Sequence, residues 1–297
     1  MKHLATAALT GLLLSAPVHA QMTPASCAAS LGALTAPLGL TLTVLPEEED
    51  GTCVLRDLSI EEGRIRYIVD ELRWRLDGMA ALLASGALLD RAEISARGVY
   101  IVGATGMPSF DYLLEAQARA GEGIAVDFLA TQAAGEVVLD RFDVDFPGEN
   151  AVSVRMRMEG VSVADPEAAL IRAFEIAVTS HGLFETYALM PLGQMLLSDS
   201  ELIEPQVEGY RNAALSAVEG LPEAIFPATS RAALAALLQD MPNPAGTLSV
   251  ELDAPDGLPL RQVSAVTGPF GARPVTDPAT LFAGARLIVS YDRTGGE

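Results

Sequence analysis

Two adjacent runs decide the fold: LDRFDVDF at residues 139–146 and VSVRMRME at residues 152–159. In the second, Val152, Val154, Met156 and Met158 alternate with Ser153, Arg155, Arg157 and Glu159. In the first, Phe142, Val144 and Phe146 stand opposite Asp143 and Asp145. Successive side chains of a strand point to opposite faces, so period-two alternation marks strands with one buried and one solvated face. That pattern belongs to antiparallel sheet.

The same alternation extends outward in both directions. Upstream, Leu58 and Ile60 alternate, as do Ile65, Tyr67 and Val69, followed by Leu72, Trp74 and Leu76. The phase slips by one residue at Asp70-Glu71, which predicts a β-bulge or bend. A further strand is expected from Glu93 to Val102. Downstream, Phe174, Ile176 and Val178, then Leu248, Val250 and Leu252, and finally Leu287 to Tyr291 read as strands. Met79 to Leu83 forms a short helical turn, and Asp165-Pro166 opens another through a cap and a proline at its first position. Ser109 to Ala120 is expected to be a helix presenting Phe110, Leu113, Leu114 and Gln117 on one face. Pro191 and Pro205 open later helices, and Ser230 caps a third bearing Leu234, Leu237, Leu238 and Met241. Glu47-Glu48-Glu49-Asp50 reads as a solvated loop tip.

The order strand, Arg-x-Arg strand, short helix, strand occurs twice, about 80 residues apart, with Arg73/Arg75 matching Arg155/Arg157. The expected fold is therefore α+β: a mainly antiparallel, curved β-sheet with a duplicated strand-strand-helix-strand unit and a helical segment packed on one face. Residues 53–184 are strand-rich, 185–241 helical and 246–297 returning strands, within one domain spanning 21–297.

The N-terminus predicts export. Lys2, an apolar run from Leu4 to Leu14 and the small-residue site Val18-His19-Ala20 have the three parts of a cleaved signal peptide, residues 1–20. The apolar run is too short to span a bilayer, and no later run is long enough, so no integral membrane span is expected. The destination of such a chain is periplasmic. Beyond the signal, Cys27 and Cys53 are the two cysteines, and in an oxidising compartment they are expected to form a disulfide.

Charge excludes more than it suggests. The chain carries 19 basic and 39 acidic residues, a formal charge of −20, and Lys2 is its lysine. Such a surface repels nucleic acid at long range. Once the signal is removed, His181 is the remaining histidine, so a multi-histidine metal site cannot be built, and Schiff-base or phosphate-loop lysine chemistry is absent. No G-x-S-x-G, G-x-G-x-x-G or C-x-x-C occurs. No catalytic residue, metal ligand or cofactor is assigned. Asp143 and Asp145, with Asp140 and Glu149 nearby, leave a carboxylate acid/base pair or a calcium site open against a solvated strand face. Arg73, Arg75, Arg155 and Arg157 are candidates for an anion or lipid-headgroup site, against simple charge balance. Met156, Met158, Met190 and Met195 suit either an adaptable apolar surface or core filling.

Leu55-Arg56-Asp57-Leu58, Leu139-Asp140-Arg141-Phe142, His181-Gly182-Leu183-Phe184-Glu185 and Met241-Pro242-Asn243-Pro244-Ala245-Gly246 give residues 54–260 a pattern that resembles the AsmA-like envelope proteins and related periplasmic families. The resemblance implies a curved sheet with an apolar face and a role in envelope or lipid homeostasis. It carries over no residue roles. The leading expectation is a non-enzymatic protein binding a lipid or other apolar ligand. The alternatives are a carboxylate-based hydrolase and a structural partner-binding module.

Overall fold

The computed structural model describes residues 22–35, 44–85, 87–162, 164–197, 202–262 and 278–294. The expected signal, residues 1–20, lies outside the described residues. Ten strands form one open, curved sheet: β1 Glu47–Glu49, β2 Thr52–Glu62, β3 Ile65–Asp77, β4 Arg91–Gly103, β5 Ile124–Ala133, β6 Glu136–Phe146, β7 Asn150–Glu159, β8 Leu170–His181, β9 Ala245–Pro259 and β10 Arg286–Arg293. They lie in sequence order, each antiparallel to the next. The α+β expectation holds. The repeated order is present too: β2, β3, helix α2 (Met79–Ser85), β4 is echoed by β6, β7, a 3₁₀ turn (Pro166–Ala168), β8.

The register sorts every strand into an apolar and a polar face. One row runs Leu72, Ala96, Val126, Val144, Val152, Val178, Leu248, Tyr291 across neighbouring strands. The neighbouring row on the other face runs Arg73, Ser95, Asp127, Asp143, Ser153, Ala177, Ser249. The bulge expected at Asp70 is a kink shared by three strands. Asp57, with φ 51°, and Gly98, with φ 60°, flank Asp70 where the pairings of β2, β3 and β4 are interrupted. A Cβ on Gly98 would come 2.0 Å from an Asp70 carboxylate oxygen, so that close approach requires glycine. Further register shifts in β5–β6, β6–β7 and β8–β9 bend the sheet again.

Two cores cover the apolar face at its ends. At the N-terminal end, helix α1 (Pro24–Thr35) is tied to β2 by the Cys27–Cys53 disulfide, which encloses Trp74, Leu55 and Leu76. The Trp74 indole N–H donates to Ser30 Oγ at 2.8 Å, so a buried polar group is satisfied. At the far end, Ile225 and Phe226 pack with Leu252, Leu258 and Leu287. There the helical segment, α4 (Leu183–Tyr187), α5 (Leu189–Leu196), α6 (Ile203–Glu219) and α7 (Ala228–Asp240), sits over β8–β10. A short helix, Pro278–Leu281, precedes β10.

Several local expectations are corrected. Ser230 does not cap α7, whose cap position is Pro227. Its fully buried hydroxyl instead accepts the Val289 N–H at 2.9 Å and donates to the Leu287 carbonyl at 3.3 Å. With Leu287 N–H bonded to the Ile225 carbonyl at 2.9 Å, this seals part of the β10 edge. Asp165 makes no side-chain cap; the turn after it closes through backbone bonds alone. Glu47–Glu49 is an edge strand rather than a loop tip, because Arg56 and Arg73 draw Glu47 and Glu49 alongside β2.

The third helix in the chain, α3 (Pro108–Arg119), turns a different face to the sheet than its periodicity predicts. Asp111 is its buried residue, taking the Thr105 N–H at 2.8 Å and the Thr105 hydroxyl at 2.6 Å, with Arg66 3.9 Å away. Phe110 and Leu113 are left exposed. A buried carboxylate needs its donors, and that requirement overrides the placement of two apolar side chains.

Candidate functional site

Between its two cores the apolar face stays half open. Val126 and Phe128 on β5, Phe142 and Val144 on β6, and Val152 and Val154 on β7 are all only half-buried. A soluble sheet normally buries such a row completely under another layer. Here a row of branched and aromatic side chains, only partly covered, runs between the two cores.

Where this face meets the helices it closes into a cleft. A cleft of 340 Å³ lies between β6, β8, β9 and β10 on one side and α4 and α7 on the other. Phe146, Val178, Leu248 and Tyr291 form its floor, and Phe184, Tyr187 and Leu237 its roof. Phe146 and Tyr187 pack as tilted rings 5.1 Å apart. The Tyr291 hydroxyl donates to Asp240 Oδ2 at 3.0 Å, with the Ala245 carbonyl 3.2 Å away. Burial and then the Asp240 carboxylate push the Tyr291 phenol above its ordinary range. The phenol stays neutral and its polar end is occupied. A second apolar cavity of 310 Å³ lies among α5, α6 and α7 and shares Phe184 and Met241 with the first. Arg211 at its edge donates to the Met241 carbonyl at 2.9 Å and to Glu208 at 3.2 Å. Among the described residues, no carboxylate lines either cavity.

The polar face has a concavity of 510 Å³ over β6–β10, holding Arg155, Arg157 and Arg286 with Asp140, Glu175, Glu251 and Asp253. The four candidate arginines all lie on this face of the sheet. Arg73 pairs with Glu49 and Glu71, both at 3.4 Å, and Arg75 with Asp77 at 3.3 Å. Arg155 pairs with Asp143 at 2.8 Å and Arg157 with Glu136 at 3.6 Å. This arrangement supports charge balance. Burial alone would raise the Asp143 carboxyl, but hydrogen bonds from Arg155 and Ser153 and the charges of Arg155 and Arg141 outweigh it and hold it below the usual carboxylate range.

Asp143 and Asp145 share the polar face as expected, and Asp143 stands opposite Asp127 across β5–β6. Each is neutralised separately: Asp127 binds Arg97 at 2.8 Å, as Asp143 binds Arg155. Glu175 and Glu251 also face each other, across β8–β9, and both are exposed. The two buried acids among the described residues, Asp77 and Asp111, lie against Arg75 and Arg66. Among the described residues, no cluster of histidine, cysteine and acidic side chains is arranged to hold a metal ion. His181 ends β8, exposed, with its backbone N–H on Asn150 Oδ1.

No family model, curated protein or solved structure matches this chain. The site therefore rests on its own residues. Sequence alternation assigns Phe146, Val178 and Leu248 of the floor to apolar strand faces. It does not place Tyr187, Leu237 and Tyr291 around one cavity, because they come from three elements far apart in the sequence whose juxtaposition depends on the helical segment folding back. Their one local signal is the clustering of apolar residues on both sides of Gly182 and Pro242-Asn243-Pro244.

Proposed function

We propose that this is a non-enzymatic, exported protein that holds an apolar ligand, of the lipid acyl-chain class, between the sheet and its helices. The carrying observation is the continuous apolar face, left half-buried across β5–β7 and closing into a 340 Å³ cleft without a carboxylate. Pockets lined by hydrophobic and aromatic side chains, with few polar groups, are the usual geometry of small-ligand sites. A methylene chain gains about 0.8 kcal/mol per buried CH₂, so even part of an acyl chain in this cleft binds usefully. The Cys27–Cys53 disulfide is compatible with an extracytoplasmic site, and the residue pattern of 1–20 points to the periplasm by way of a signal peptide. A role in envelope or lipid homeostasis, as the AsmA-like resemblance implies, accords with this reading.

The test is titration with a dansyl-labelled fatty acid, alongside native mass spectrometry of freshly purified protein. Saturable one-to-one binding is expected. Val178→Trp, which fills the cleft, should weaken binding by roughly tenfold or more, since overpacking costs about 1–3 kcal/mol. An absence of saturable binding, together with protein that always purifies empty, refutes the proposal.

A further inference from the structure

The antiparallel register divides the connections between two ends of the sheet. Ile65 pairs with Gly103, Phe146 with Asn150, His181 with Ala245 and Arg293 with Gly246. One end therefore carries α3, the turn at 147–149, α4, α5, the start of α6 and the finish of α7, with Tyr210 bonded to the Leu196 carbonyl and Arg211 to the Met241 carbonyl, whereas Ile225 and Ser230 reach Leu287 toward the other end. The disulfide lies near the opposite end. Nineteen large apolar side chains are exposed among the described residues, and sixteen belong to the first end. Ten of these fall between Tyr187 and Tyr210, four between Met107 and Leu113, and the others are Ile65 at the start of β3 and Ile101 near the end of β4. Met190 and Met195 are 70% and 65% exposed, and Tyr112 is 70% exposed. Soluble surfaces scatter such residues singly; their collection at one end marks an interaction surface.

We infer that this end of the sheet docks on a lipid bilayer, and specifically on a zwitterionic phospholipid surface. The charge pattern selects that occupant. The described residues from α4 to Tyr210 carry Glu185, Glu204 and Glu208 and no basic side chain, the next residue, Arg211, is paired with Glu208, and beside α3 Arg64, Arg66 and Arg119 are outnumbered by Glu61, Glu62, Asp70, Asp111 and Glu115, so this end offers no net positive patch to anionic headgroups. Two copies meeting through the same end would bring these acids together, on chains that each carry a formal charge of −20. A neutral bilayer imposes no such repulsion and receives apolar side chains dispersed over several elements. The exposed tyrosines, Tyr112, Tyr187 and Tyr210, all lie at this end, where an amphipathic ring suits a membrane interface. The surface is also continuous with the ligand site: Leu189, Leu192, Leu196, Val207 and Tyr210 are exposed and also line the 310 Å³ cavity. A bilayer at this end meets side chains that also line that cavity. The inference uses the ligand reading for this last point only.

The experiment is co-flotation of the full-length mature protein with phosphatidylcholine vesicles in a density gradient. The wild type is expected to float, and to stay bound in high salt, because the attraction is apolar. Met190→Glu/Met195→Glu should reduce the bound fraction by at least about tenfold, since two exposed apolar side chains that enter the bilayer are replaced by carboxylates that do not. Neither residue lines either apolar cavity described above, so these variants should keep their melting temperature and their dansyl fatty acid affinity. Tyr112→Glu/Leu113→Glu on α3 should weaken flotation in the same way. The inference is overturned if the wild type stays with the soluble fraction, if both pairs of variants float unchanged, or if the surface proves to join copies, seen as a dimer by light scattering that Met190→Glu/Met195→Glu dissociates. Loss of flotation with retained probe binding leaves the ligand reading standing. Flotation without probe binding leaves the docking surface standing.

Discussion

Replacing Ser230 with alanine tests how the open end of the sheet is closed. The Ser230 hydroxyl is fully buried, accepts the Val289 N–H at 2.9 Å and reaches the Leu287 carbonyl at 3.3 Å. Ser230→Ala leaves the Val289 N–H buried without an acceptor, a loss of about 1–3 kcal/mol. The longer bond to Leu287 adds little, and alanine returns up to about 0.5 kcal/mol as the better helix former. The net destabilisation is about 1–2 kcal/mol, which for a chain of this size lowers the melting temperature by about 2–4 °C. Urea unfolding is followed by far-UV circular dichroism and by emission of Trp74, the single tryptophan. Trp74 lies in the core at the opposite end of the sheet from Ser230. If all ten strands unfold as one unit, both signals shift together. A shift confined to circular dichroism means that the two ends unfold separately. A midpoint change worth less than about 0.5 kcal/mol by both probes refutes the view that this hydroxyl closes the edge, because surface-like substitutions already span that range. Exposure of the β10 edge should also raise the tendency of the variant to aggregate through strand pairing.

Further outcomes follow from the same structure. Reducing the disulfide, or making Cys27→Ser/Cys53→Ser, opens a loop with a sequence separation of 26 and should cost roughly 3–4 kcal/mol in urea unfolding, with loss of Trp74 burial at lower urea than in the oxidised protein. Asp111 has its carboxyl held below the usual range first by the Thr105 hydroxyl and then by the Thr105 N–H. A depressed carboxyl contributes stability above its unfolded pKa and loses it as pH falls through the folded pKa. Asp111→Asn should therefore be less stable than wild type by a constant margin above about pH 5, a margin that shrinks as pH drops below about 4. A margin independent of pH down to the acid transition would show that the carboxylate charge contributes nothing.

Much of the fold was legible because strand alternation is a local signal with a period of two. Once Val152 to Met158 and Phe142 to Phe146 are read as single-faced, register carries their apolar rows across the whole sheet. The kink at Asp70 was visible as a phase slip, although its spread over three strands was not, because Asp57 and Gly98 take part through pairing rather than through their own pattern. The site was legible only in part. Alternation shows which side chains share a face but cannot show whether a second layer covers them. The cleft at the far side of that face therefore emerged only with the helices in place.

The misread helix shows how local periodicity and function diverge. In α3 the apolar positions Phe110, Leu113 and Leu114 suggest an inward face, yet Asp111 is the residue that is buried. Burying a carboxylate is expensive unless its donors are supplied, and Thr105 and Arg66 supply them only if the helix is rotated to bring Asp111 inward. That rotation leaves Phe110 and Leu113 in water, an unfavourable state for a protein whose surroundings are water alone. The α5 helix repeats the situation without a buried acid: Leu189, Met190, Leu192, Met195 and Leu196 are all exposed. Two unrelated helices that leave apolar side chains uncovered at the same end of one sheet are poorly explained by packing within the chain. A shared apolar surface outside the chain accounts for both, and it is also what a carrier of an apolar ligand must meet in order to load or release it.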